Sequence, residues 1–222
     1  MSTIAYINVE KMSFSYQKSQ FSLNDIDLEL YKNEITALVG DNGSGKTTLG
    51  KILTGILKPC KGNIFINGEN ISKLDLGEIG KKVGYLFQNP EKQIFATSVY
   101  EDVSFPLEIN GIEPNEIKDR TDSILAALEI DHLKDKYPFN LSHGEKQRVA
   151  LAGIMIHKAE YLILDEPTTA LDSERKELLG SMLKNLNAQG TGILIISHDE
   201  KFISKYCSRV IRMKKEGGII NE

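Results

Sequence analysis

Gly40-Asp41-Asn42-Gly43-Ser44-Gly45-Lys46-Thr47 matches the pattern G-x-x-x-x-G-K-[ST] at every fixed position. Such a loop can hold a chain of phosphates. Its glycines let the backbone curl so that N–H groups point inward at phosphate oxygens. The helix that follows adds partial positive charge at the same spot. Lys46 is expected to bridge the β- and γ-phosphates and the Thr47 hydroxyl to ligate Mg²⁺, with Thr48 completing the nucleotide-binding run. A glycine-rich turn that binds nothing is the plain alternative. By itself the motif speaks for a nucleoside triphosphatase and does not separate ATPases from GTPases or small-molecule kinases.

A second group of residues is Tyr161-Leu162-Ile163-Leu164-Asp165-Glu166, an apolar run closed by two carboxylates. On a strand, successive side chains point oppositely, so the two acids can serve different roles. Asp165 is expected to hold Mg²⁺, mainly through water. Glu166 is expected to polarise an attacking water as general base. Without the phosphate loop the same run reads as a solvated strand end.

These residues need elements to bring them together. Residues 35–39 form a near-continuous apolar run that enters the glycine loop, and 161–164 and 193–196 behave alike. Short runs of this kind suit parallel strands buried on both faces. Apolar faces at helical spacing lie between them: Leu49, Ile52, Leu53, Ile56 and Leu57, then Leu179, Met182, Leu183 and Leu186. The alternation predicts an α/β core with a mostly parallel sheet. Near the N-terminus, Met12, Phe14 and Tyr16 alternate with polar residues, and 23–30 and 63–66 read similarly. That predicts a separate antiparallel layer. Residues of about 90–157 show helical patterns such as Ile117, Ile124, Leu125 and Leu128, and no convincing strand. They read as a helical subdomain inserted into a single domain of residues 1–222.

Leu141-Ser142-His143-Gly144-Glu145-Lys146-Gln147-Arg148 stands just upstream of the acidic strand. It resembles the signature motif of the ABC ATPase family. Gln88 within Leu86-Phe87-Gln88-Asn89-Pro90 resembles that family's Q-loop, Asp172 within Thr169-Ala170-Leu171-Asp172 its D-loop, and His198 its switch histidine. The resemblance covers nearly the whole chain in the family's order. It implies the ABC ATPase fold, ATP and Mg²⁺ as cofactors, and a dimer, homo- or heteromeric. Each ATP would lie between one chain's phosphate loop and the other's signature. It further implies Tyr16 as the aromatic stacked on adenine, Gln88 as a ligand of Mg²⁺ and a catalytic residue, and His198 as contacting the γ-phosphate and orienting Glu166. On its own, the signature is also a well-capped helix start: Ser142 and Glu145 make the S-x-x-E capping box, with Val149, Ala152 and Ile156 continuing the face. His143 and Glu145 replace a glycine and a glutamine of the family's usual pattern, while Gly144 keeps close backbone approach open.

The stretch from Val83 to Val103, with Gln88-Asn89-Pro90-Glu91 and Ser98-Val99-Tyr100-Glu101-Asp102-Val103, is similar to the energy-coupling-factor ATPases. Those power uptake of vitamins and of cobalt or nickel ions. The resemblance implies a transmembrane coupling protein and a substrate-binding membrane protein as partners, at the cytoplasmic face of the cell membrane. A C-terminal segment that aids dimerisation in that group is not evident after Arg209–Met213. The ATPase of another ABC importer, or a non-transport ABC ATPase, is the alternative.

Composition bounds the rest. The chain has 222 residues, 41% of them apolar, enough to bury a core. A formal charge of −4 argues against a nucleic-acid partner. Cys60 and Cys207 form no CxxC pair and are expected to be free thiols in a reducing compartment. No run of about 18 apolar residues is present, so no bilayer span is expected, nor a signal peptide.

Overall fold

The computed structural model describes residues 4–17, 21–215 and 218–221. Among these, two sheets form. The first is antiparallel and contains β1 (Ile7–Ser15), β2 (Ser22–Leu30), β4 (Lys61–Ile66) and β5 (Glu69–Asn70), in the order β2-β1-β4-β5. The alternation of β1 changes phase within the strand. Ile7 and Val9 are buried, and so are Met12 and Phe14. The pairing register slips between Val9 and Met12, where Lys11 takes a positive φ of 46°. An extra residue at that bulge keeps both pairs on the inner face. Tyr16 falls just past the strand end and is 39% exposed.

The second sheet holds β3 (Ile35–Gly40), β6 (Val83–Leu86), β7 (Tyr161–Asp165), β8 (Gly192–Ile196), β9 (Arg209–Met213) and β10 (Ile219–Asn221). Its order is β10-β9-β3-β8-β7-β6, parallel throughout except for the β9–β10 pair. Every residue of β7 and β8 is buried. Their alternate side chains serve two cores. Leu162, Leu164, Ile193 and Ile195 pack with the helical side. Tyr161, Ile163, Leu194 and Ile196 pack against the antiparallel sheet. Burial on both faces is why these runs contain no polar alternation.

Seven α-helices lie among the described residues. α1 (Lys46–Leu53) leaves the phosphate loop and buries Leu49, Ile52 and Leu53. It ends earlier than its apolar pattern predicted. Gly55 takes φ +71°, and Ile56 beyond it is 40% exposed. α2 (Leu76–Lys82) precedes β6. Between β6 and β7 the chain makes α3 (Val99–Glu108), α4 (Pro114–Ala127) and α5 (His143–Met155), with short 3-10 turns and no strand. α6 (Ser173–Ala188) and α7 (Glu200–Tyr206) flank β8 in the chain. The fold is thus mixed α/β, with a mostly parallel sheet and an antiparallel layer, as expected. No described helix is long and apolar enough to cross a membrane.

Candidate active site

The phosphate loop links the C-terminal end of β3 to α1. Gly45 takes φ +103°, and a Cβ there would lie 2.7 Å from side-chain carbons of Phe21 and Leu23, so only glycine fits the turn. The Lys46 ammonium folds back over the loop and donates to the carbonyls of Gly40 at 2.7 Å and Asp41 at 3.0 Å. Ser44 is fully buried beneath it.

A cavity of about 440 Å³ opens over this loop. Asn42, Gly43, Gly45, Lys46, Thr47 and Thr48 form its floor. Asp165, Glu166, Gln88, Tyr16 and Phe21 line it as well. The fold therefore brings residues from the loop, β7, the end of β6 and the first sheet to one place. Tyr16 sits edge-on to Phe14, with centroids 4.8 Å apart, and its hydroxyl lies 3.2 Å from that of Thr48. Gly40, Asp41 and Ser44 belong to the loop without lining the cavity.

Asp165 is 1% exposed. Its Oδ2 accepts a hydrogen bond from the Tyr85 hydroxyl at 3.1 Å, whereas Oδ1 is buried without a hydrogen-bond partner. Burial raises its pKa, and the hydroxyls of Thr47 and Tyr85 work against that rise. An orphaned carboxylate oxygen beside a threonine hydroxyl suits a hard divalent cation that keeps waters and phosphate oxygens as its other ligands. The residues present fit Mg²⁺.

Glu166 stands just past the end of β7 with φ 53°, so strand alternation does not govern it, and it lines the same cavity as Asp165. Its Oε1 lies 3.0 Å from Nδ1 of His198, and Ser197 Oγ donates to Oε2 at 3.4 Å. The His198 side chain is itself 82% exposed. Its turn is held by Asp199, which caps α7 and pairs with Lys176 of α6 at 2.7 Å. Lys176 keeps the Asp199 carboxyl below its usual range. Gln88, in the loop after β6, is exposed.

Leu141, Ser142, His143, Gly144 and Glu145 do not line this cavity. They open α5, where Ser142 and Glu145 form a reciprocal capping box. Glu145 Oε2 accepts from the Ser142 N–H at 2.8 Å and from its hydroxyl at 2.6 Å. Those bonds keep the Glu145 carboxyl ionised below its normal range. His143 is exposed. A Cβ on Gly144 would lie 2.9 Å from the Ala170 carbonyl oxygen, so this position admits the close approach of the helix start to the 169–172 segment. Asp172 caps α6 through the Arg175 N–H at 2.9 Å and pairs with the Arg175 guanidinium.

Phe21, which lines the cavity, and Tyr85 and Ser197, which bond to its two acids, were given no role by sequence reasoning. Phe21 carries no motif signal, and Ser197 stood beside His198 in the stretch compared with the switch histidine without a role of its own. Tyr85 stood within the stretch compared with the energy-coupling-factor ATPases, but only strand pairing shows that it reaches Asp165.

A two-sheet α/β fold with a phosphate loop, an acidic strand end and a capped signature helix defines an ATP-binding cassette domain. The chain belongs to the ABC transporter family, whose model matches residues 23–169. It is 39% identical over 220 residues to the energy-coupling factor transporter ATP-binding protein EcfA3 of Clostridium perfringens, covering 96% of this chain and 76% of that protein. The structure of cbiO1 from Clostridium perfringens, part of the ABC transporter complex cbiONQ, superposes with a TM-score of 0.83 at 36% identity, over 97% of this chain and 87% of that one. The ATP-binding cassette MJ0796, a dimer in a post-hydrolysis state bound to ADP and Pi, superposes with a TM-score of 0.87 at 26% identity, over 97% and 98%. Other curated relatives are longer: the chain spans 36%, 47%, 37% and 35% of four of them.

Proposed function

We propose that this chain is the ATP-binding and ATP-hydrolysing subunit of an ABC importer, acting as a dimer around two ATP molecules and driving a membrane partner. The particular reading is energy-coupling-factor uptake of a vitamin or of cobalt or nickel. The energy-coupling-factor part is supported by relatives named energy-coupling factor transporter ATP-binding proteins. The dimer is formed with a second copy or with a homologous ATPase. Its place would be the cytoplasmic face of the cell membrane, against a transmembrane coupling protein and a substrate-binding membrane protein.

The observation that carries this reading is one division of labour. Phosphate loop, Asp165, Glu166 and Tyr16 share one cavity, while the signature lies outside it. A single chain would hold ATP; the signature of a second chain would close over it. Tyr16 stacks the base, loop N–H groups and Lys46 hold the phosphates, and Thr47, Asp165 and Gln88 would hold Mg²⁺ and its waters. When bound there, Mg²⁺ would supply positive charge that offsets the negative charge developing on the phosphates. Glu166 takes the proton of the attacking water, and His198 orients Glu166 and meets the γ-phosphate. Asp172 stands beside the signature at the dimer seam. A groove of about 440 Å³ beside α2 and the C-terminal end of α3, lined by Ile56, Leu76 and Ile109, would take a helix of the coupling protein.

Two measurements test it. Glu166→Gln should lower steady-state ATP hydrolysis by about 10²–10⁴-fold while ATP binding persists. Equal loss of binding would remove the general-base role. Mild-detergent purification from native membranes should recover a coupling membrane protein; recovery of only soluble partners would overturn transport and leave the ATPase.

A further inference from the structure

A buried tyrosine beneath the nucleotide cavity has no part in the reading above. Tyr85 lies on β6 and is 8% exposed. Its hydroxyl donates to Asp165 Oδ2 at 3.1 Å. The ring is fixed from two sides. It stands edge-on to Phe87, with centroids 4.9 Å apart and planes at 88°. On the other side, a Cβ on Gly50 of α1 would come within 3.1 Å of its Cε2. One side chain thus joins the strand that leads to Gln88, the helix that carries Thr47, and the strand that ends in Asp165.

The carboxylate of an aspartate turns easily about its last bond, because that torsion is broad and two-fold. A donor on one oxygen removes this freedom. With Oδ2 held, Oδ1 is the oxygen left over: the Thr47 hydroxyl acts on the carboxyl from nearby, but no donor stands at hydrogen-bond distance from Oδ1. A buried lone pair of this kind calls for a donor or a cation. Removing a side chain that orients a metal ligand typically costs about 10–100-fold in metal affinity.

We infer that Tyr85 is a positioning residue of the metal–nucleotide site: by holding Oδ2 of Asp165 it presents Oδ1 to the divalent cation that accompanies ATP. This rests on the ATPase reading above. Tyr85→Phe keeps the ring and its packing and removes one hydroxyl.

The test uses the full chain and a fluorescent ATP analogue. Affinity is measured in EDTA, then as Mg²⁺ is titrated in, with Mn²⁺ followed by electron paramagnetic resonance as a direct readout of the metal. In Tyr85→Phe, binding in EDTA should match the original protein. The Mg²⁺ and Mn²⁺ concentrations for half-maximal effect should rise by about tenfold. In an Asp165→Asn background, adding Tyr85→Phe should give no further rise. Unchanged metal dependence in Tyr85→Phe would overturn the inference, and so would an equal loss of affinity with and without metal, which marks a merely structural role. An original protein whose nucleotide binding ignores Mg²⁺ would instead overturn the metal reading on which this one stands.

Discussion

Nζ of Lys146 lies 2.5 Å from Oε1 of Glu91, which ties the helix that opens with the signature to the loop that carries Gln88. The lysine side chain is only 10% exposed, whereas the glutamate is 51% exposed. The Lys146 ammonium holds the Glu91 carboxyl below its ordinary range. A cation so nearly enclosed needs its partner more than the partner needs it.

Glu91→Gln and Lys146→Met should therefore each slow ATP turnover in the assembled transporter by about 2- to 10-fold, with ATP binding to the isolated chain little changed. The swap Glu91→Lys with Lys146→Glu should recover part of the loss. Additive losses in the double variant would show that the two residues act separately.

His198→Ala should reduce turnover by at least about tenfold and change ATP affinity by less than about threefold. The reason is geometric: Nδ1 lies 3.0 Å from Glu166 Oε1 and most of the ring faces open space, so the ring helps to direct a base more than to build the pocket. Parallel losses in affinity and rate would assign it to structure alone.

Glu145 places a negative charge at the start of α5, bonded to both the hydroxyl and the N–H of Ser142. An incoming phosphate would meet a helix end already engaged. Glu145→Gln should raise the ATPase rate of the assembled complex by about two- to fivefold, the worth of one charge at a helix end. His143→Gly tests the neighbouring exposed side chain in the same assay. No change in either variant would leave both departures from the family pattern without catalytic consequence.

The two thiols should differ sharply toward iodoacetamide. Burial pushes the Cys207 pKa up to about 12, and the thiolate is the reactive form. Cys60 is exposed. At pH 8 the folded protein should label rapidly at about one site per chain and at about two once unfolded in urea. Fast labelling of Cys207 in the folded protein would contradict its partial burial and raised pKa.

Much of this was legible in the residues, for reasons that differ by element. Strands buried on both faces announce themselves as unbroken apolar runs, so β3, β7 and β8 were readable. The phosphate loop is a contiguous backbone device, with Gly40, Gly43, Gly45, Lys46 and Thr47 inside one run of eight residues. β6 is only four residues long and β9 carries two arginines, so neither shows a buried-strand pattern. The α1 face overran its helix because Ile56 and Leu57 keep helical spacing after Gly55 has turned the chain. Contacts such as Tyr85 with Asp165 join positions 80 residues apart and leave no local trace.

The sheet order separates a fixed part from a yielding one. β3 sits inside the second sheet between β9 and β8, whereas β6, among the described residues, pairs with β7 alone and ends the row. Amides of an interior strand exchange with solvent only when much of the domain opens, while an edge strand can fray locally. The phosphate loop hangs from the former and Gln88 from the latter. Amides around Gln88 should therefore exchange before those of the strand that carries the phosphate loop.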